Sequence, residues 1–107
     1  MKNYYEIQLP MLDNRERDMT AARNKWQRAA LAIAGGFSML PQIRGTWQGA
    51  ERAYEEVMQP YHIACSAAEF GRLVETAFEL FPDQEAIFTA ELGRADIRAK
   101  AKKEDVA

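Results

Sequence analysis

The chain opens on strict alternation. Tyr5, Ile7 and Leu9 fall on one side, Tyr4, Glu6 and Gln8 on the other. A period of two with aromatic and β-branched residues predicts a half-buried strand over Asn3–Leu9. Pro10 ends it, because it has no N–H to give a ladder. A polar stretch around DNRERD follows, and then the period changes. Ala22, Trp26, Ala29, Ala30 and Ile33 recur at helical spacing, with Arg23, Lys25 and Arg28 off that face. Asp13 and Glu16 have the spacing of a capping box, and Thr20 is the competing N-cap. Gly35 and Gly36 stop the helix, since glycine takes the left-handed C′ conformation without steric cost.

The stretch from Gly35 to Cys65 is the part around which the chain is organised. In Phe37–Trp47 the odd positions are apolar and the even ones polar, apart from Leu40. Pro41 marks this run as an edge strand. Gln48–Arg52 reads as the turn, with Gly49 free to take positive φ. The returning run to Cys65 puts Val57, Tyr61, Ile63 and Cys65 on one parity and Tyr54, Glu56, Met58 and His62 on the other. Pro60 predicts a bulge or a break within it.

Ser66 and Glu69 form an S-x-x-E capping box. Phe70, Leu73, Val74, Ala77, Phe78 and Phe81 then keep helical spacing until Pro82. Glu85–Leu92 reads as a last strand with Ala86, Phe88, Ala90 and Leu92 on its apolar face. The expected core gathers Tyr5, Ile7, Trp26, Ile33, Ile63, Phe70, Leu73, Val74, Ala77, Phe78 and Phe88.

The order strand, helix, strand, strand, helix, strand is that of a ferredoxin-like split β-α-β fold, an α+β class. Right-handed crossovers give the strand order 4-1-3-2 with both helices on one face. Residues 1–93 form one domain in this reading, and 94–107 form a charged tail, helical or disordered. Gly35-Gly36-Phe37, Gly45-Thr46-Trp47, Tyr54-Glu55-Glu56 and the run from Phe81 to Phe88 together resemble small uncharacterised bacterial ferredoxin-like proteins, met in chromosomes and mobile elements. The resemblance spans residues 3–92. It implies the fold and assigns no activity.

Composition narrows the class. The 107 residues are 48% apolar and 28% charged, as in an ordinary globular domain. No apolar run approaches the ~20 residues that span a bilayer. The N-terminal MKNYYEIQLP has no apolar segment of signal-peptide type. One cysteine cannot form an internal disulfide, which suits a cytoplasmic protein. The net charge of −2 is uneven: residues 1–50 carry +3, residues 51–93 carry −7 and residues 94–107 carry +2. No basic stripe of nucleic-acid type is present.

Chemistry has few candidates. On the helix-free side of the sheet, alternation places Tyr4, Glu6 and Gln8, then Gln42 and Arg44, then Tyr54, Glu56, Met58 and His62, then Ile87, Thr89 and Glu91. From these, Glu6, Arg44, Tyr54, Glu56 and His62 form the candidate sheet-face site. His62 is the sole histidine, and a general base or ligand of that kind wants a carboxylate beside it. The spacings that hold zinc are missing, so no metal is expected, and no phosphate loop or cofactor motif occurs. Cys65 shares parity with Ile63 and reads as a core thiol. Trp47 and Tyr54 could stack bases, but the segment around them is the acidic one. The expectation is a non-enzymatic interaction or regulatory module, a homodimer through its open sheet face, with a protein partner as a further possibility. The alternative is a small-molecule enzyme or binder of the dimeric α+β barrel type, its pocket lined by Glu6, Arg44, Glu56 and His62.

Overall fold

The computed structural model describes residues 2–100. The elements are β1 (Lys2–Pro10), α1 (Thr20–Ala34), β2 (Ser38–Met39), β3 (Ile43–Gln48), β4 (Ala53–Cys65), α2 (Ala67–Leu80) and β5 (Thr89–Ala95). All pairings are antiparallel. The order runs β2-β4-β1-β5, with β3 also on β4. Taking β2 and β3 as two pieces of one strand, this is the 4-1-3-2 order of a ferredoxin-like fold. The α+β class and topology agree with the sequence reading, with five strands where four were expected.

The extra strand has a specific cause. β2 pairs Met39 with Tyr61, and Leu40 N–H continues that register onto Pro60 O. β3 resumes with Ile43 opposite Met58. One residue too many therefore lies between Leu40 and Ile43, a bulge centred on Pro41. The bulge was expected at Pro60, but β4 runs unbroken through it. Pro60 cannot return a hydrogen bond to Leu40 O, and the Gln59 side chain does so instead, Nε2 to Leu40 O at 2.6 Å.

The core lies between the sheet and the two helices. Tyr5, Ile7 and Leu9 of β1 face it, beside Tyr61, Ile63 and Cys65 of β4, all buried. α1 contributes Trp26 and Ala30, and α2 contributes Phe70, Leu73 and Ala77; Phe81 follows. Trp26 Nε1–H donates to Leu73 O at 3.0 Å, so the indole joins the two helices through a satisfied polar end. Tyr5 stacks on Phe70 with centroids 4.1 Å apart.

Helix ends follow local chemistry. Ser66 caps α2 in a complete box: Glu69 N–H donates to Ser66 Oγ, and Ser66 N–H to Glu69 Oε1. Gly35 ends α1 at φ 84. The start of α1 differs from both expectations. Thr20 is its first residue, and Met19 before it makes no side-chain cap. Asp13 instead ties a tight turn, accepting the N–H groups of Arg15 and Arg17. Gly49 is likewise not at positive φ; its missing Cβ leaves space for the Tyr54 ring.

Four further expectations are corrected. Arg23 is buried rather than turned outward, because its guanidinium serves the carbonyls of Pro10 and Met11 where β1 ends. Phe78 is 40% exposed. It lies one position past Ala77, outside the stripe that meets the sheet. The last strand begins at Thr89, not Glu85, and extends to Ala95. Its parity is the reverse of that expected: Thr89 lies opposite Ile7 and Glu91 opposite Tyr5, on the core side. Phe88 thus stands on the helix-free side, and Ile87 packs against the core. The two runs of alternate residues in EAIFTAEL are almost equally apolar, so alternation could not separate them. Asp96–Lys100 has no regular secondary structure, and residues 101–107 of the expected tail lie outside the described residues.

Candidate functional site

The helix-free face is defined by residues that sit directly opposite one another. Glu6 faces His62 across β1 and β4. Gln8 lies opposite Pro60, Pro10 opposite Met58, Gly45 opposite Glu56 and Trp47 opposite Tyr54. This face is not uniformly bare, since Gln8, Pro10, Met58 and Pro60 are buried.

Glu6 and His62 are the centre of its polar part. Glu6 Oε1 and His62 Nε2 are 2.7 Å apart, each side chain about four-fifths buried. Gln8 Nε2–H donates to Glu6 Oε2 at 2.8 Å. Both carboxylate oxygens are thus engaged. Burial alone would raise the Glu6 pKa, but the hydrogen bonds from Gln8 and His62 and the charge of the imidazole outweigh it and hold the carboxyl below its ordinary value. The Tyr4 ring meets His62 edge-on at 5.0 Å. Gln8 Oε1 is buried and has no donor among the described residues. Turning the amide over would aim that oxygen at Glu6, so the orientation is set by the carboxylate.

The other candidates are elsewhere. Arg44 lies opposite Val57, on the side of the sheet that carries the helices, because the bulge at Pro41 reverses the parity of everything after it. Glu56 and Tyr54 share the face of Glu6, but six and eight residues of extended β4 place them about 20 and 27 Å from His62. A pocket lined by Glu6, Arg44, Glu56 and His62 within one chain is therefore not assembled. Gln8, marked in the sequence by its parity alone, completes the cluster. Cys65 is buried, and burial together with the nearby Glu69 carboxylate raises its pKa, so the thiol stays protonated. Among the described residues no group of three or more Cys, His, Asp or Glu is placed to hold a metal ion.

Beyond the last core pair, Leu9–Gln59, the sheet narrows to a two-stranded arm of β3 and the first half of β4. It reaches about 20 Å past that pair. Its helix-side residue Val57 is 43% exposed, so neither helix covers it. On the open side Ile43, Trp47 and Tyr54 are exposed. The Trp47 ring lies over Gly45, where a Cβ would come within 2.8 Å of it, and its centroid is 6.3 Å from that of Phe88. Arg52 sits 4.8 Å above the Tyr54 ring.

No protein-family model matches this chain, and no curated protein matches it by sequence. Solved structures do match in fold. One is the divalent cation tolerance protein CutA1 from Thermus thermophilus, with a TM-score of 0.66 at 14% identity over 99% of this chain and 92% of that one. CutA1 from Oryza sativa gives 0.68 at 9% identity, covering 91% and 83%. The periplasmic divalent cation tolerance protein CutA from Archaeoglobus fulgidus gives 0.60 at 10% identity, covering 98% and 91%. At these identities the likeness establishes the ferredoxin-like fold of the chain.

Proposed function

We propose that this protein is a small, non-enzymatic interaction module that self-associates as a homodimer through its helix-free sheet face and the arm. The observation that carries this is the arm. A two-stranded hairpin alone is marginal in water, yet this one exposes Ile43, Trp47, Tyr54 and Val57. A second copy is a cover always at hand, and two-fold pairing buries the same patch on both partners.

A non-enzymatic role is supported by the chemistry of Glu6 and His62. Each occupies the other and Gln8 takes the remaining carboxylate oxygen; Ser38 lies opposite His62 across β2 and β4, but no hydrogen bond joins their side chains among the described residues. The lone buried Cys65 suits a cytoplasmic setting; no helix among the described residues is long and apolar enough to cross a membrane. The likeness in fold to proteins named for divalent cation tolerance makes a role in that tolerance a reading to test alongside self-association.

The face is tested by two substitutions on opposite sides of the arm. Tyr54→Glu places a charge on the proposed interface, and Thr46→Glu places one on the side of Val57. Sedimentation should show Tyr54→Glu shifted to monomer and Thr46→Glu still dimeric. A dimer that survives Tyr54→Glu would move the interface off this face.

A further inference from the structure

The helix-free row of β4 has two unlike ends. Its residues are Tyr54, Glu56, Met58, Pro60, His62 and Ala64, with Gln59 at the midpoint. The arm end carries bulk, since Tyr54 and Trp47 opposite it are exposed. The other end sinks into a depression of about 650 Å³, lined on this side of the sheet by Tyr4, Ser38, His62 and Ala64. Tyr54 and Ala64 stand equally far from Gln59. A second copy, turned antiparallel about Gln59 and packed face to face, lays its arm over this depression and receives the first arm in its own. Sheets packed in this way lie about 10 Å apart, a gap that side chains from both fill. A shift of two residues in either direction leaves one step of each arm uncovered.

The same superposition brings charge together. Tyr54 meets Ala64 of the second copy, Met58 meets its Pro60, and Glu56 meets its His62. Glu56 is in no ion pair of its own chain among the described residues. His62 holds Glu6 through Nε2 at 2.7 Å, and its Nδ1 has no hydrogen-bond partner among the described residues. Around His62 in one chain, β1 brings Glu6, Tyr4 and, further out, Lys2, while β2 brings Ser38. On this side β5 brings Ala90 and Gly93, its Glu91 and Arg94 lying on the other. Asp96, at the rim of the depression, is held by Arg98. The second copy's arm adds Glu56 and also Arg52, which sits over the Tyr54 ring.

We infer that each arm docks antiparallel on the helix-free face of the second copy, Tyr54 and Trp47 entering the depression and Glu56 meeting His62, so that the dimer takes up protons there. This rests on the self-association proposed above and fixes its register. A carboxylate at each ring nitrogen favours the imidazolium, which donates from both. The free chain offers His62 one carboxylate, and the dimer offers two. By reciprocity, protons that bind the dimer more tightly also tighten the dimer. Association strengthens as pH falls and weakens as pH rises.

The test is sedimentation equilibrium of the full-length protein at about pH 8 and about pH 6, a range in which histidine changes charge and ordinary carboxylates do not. His62 is the sole histidine. The dissociation constant should fall several-fold from the higher pH to the lower. Glu56→Gln should still dimerise, with that dependence gone. Glu55→Gln, on the other side of the arm, should keep it. A dimer of equal strength at both pH values would overturn the inference and leave self-association standing, as would a Glu56→Gln variant with the full dependence. A single-chain mass at both pH values would overturn self-association, and this inference with it.

Discussion

Gln59 Nε2 donates to Leu40 O at 2.6 Å, at the ladder position where Pro60 has no N–H to give. A side chain thus completes a backbone ladder in the middle of the sheet. It lets a proline stand in the central strand β4, buried and unbroken. Gln59→Leu keeps the volume and removes the donor. A buried carbonyl left unmet costs about 1–3 kcal/mol. Urea unfolding should show a loss of that size, and an unchanged midpoint would mean that water serves Leu40 instead.

Leu73 and Phe78 were equivalent in helical periodicity and are not equivalent in the fold. Leu73 is fully buried between α1 and the sheet, and Phe78 is exposed. Leu73→Ala should cost about 2–5 kcal/mol through lost burial and a cavity. Phe78→Ala should stay within about 0.5 kcal/mol, as for a surface site. Calorimetry on the two variants checks both, and comparable losses would contradict the packing described.

This pair shows which features local pattern can carry. Element order, topology, the capping box at Ser66 and most of the core were legible, because period and caps are local signals. The face of β3 was not. A single extra residue at Pro41 turns Ile43, Gly45 and Trp47 to the helix-free side and sends Arg44 to the other, and nothing in FSMLPQIRGTW marks where parity changes. The Glu6–His62 pair was legible as parity plus a lone histidine. Its contact was not, because register between β1 and β4 is set by long-range pairing. Gln8 was overlooked as a site residue for the same reason.

Gly45 is required by its neighbour rather than by its own backbone. The Trp47 ring occupies the place a side chain would take. Gly45→Val should push that ring off the arm and away from Phe88. Tryptophan emission should shift to the red from Trp47, while the buried Trp26 keeps its contribution. Emission identical to the unmodified protein would show that the ring does not lie over Gly45.

The pH dependence of stability follows from three carboxylates. Glu6 is lowered by the bonds described above. Glu69 is lowered foremost by the Ser66 N–H, and Asp13 foremost by the Arg17 N–H. A carboxylate depressed in the folded state adds stability that is whole above its unfolded pKa and is lost as pH falls through its folded one. Stability should therefore hold above the ordinary carboxylate range, about pH 4, and decline below it. Glu69→Gln should make that decline shallower. An acid-unfolding curve with the same steepness in the variant would contradict the assignment.

The central claim is that the chain pairs with itself to cover the arm and the helix-free face. Light scattering on the unmodified protein over a concentration series tests it most directly. A mass rising to twice the 12.2 kDa of one chain is the result expected, and a mass of one chain at every concentration would contradict it.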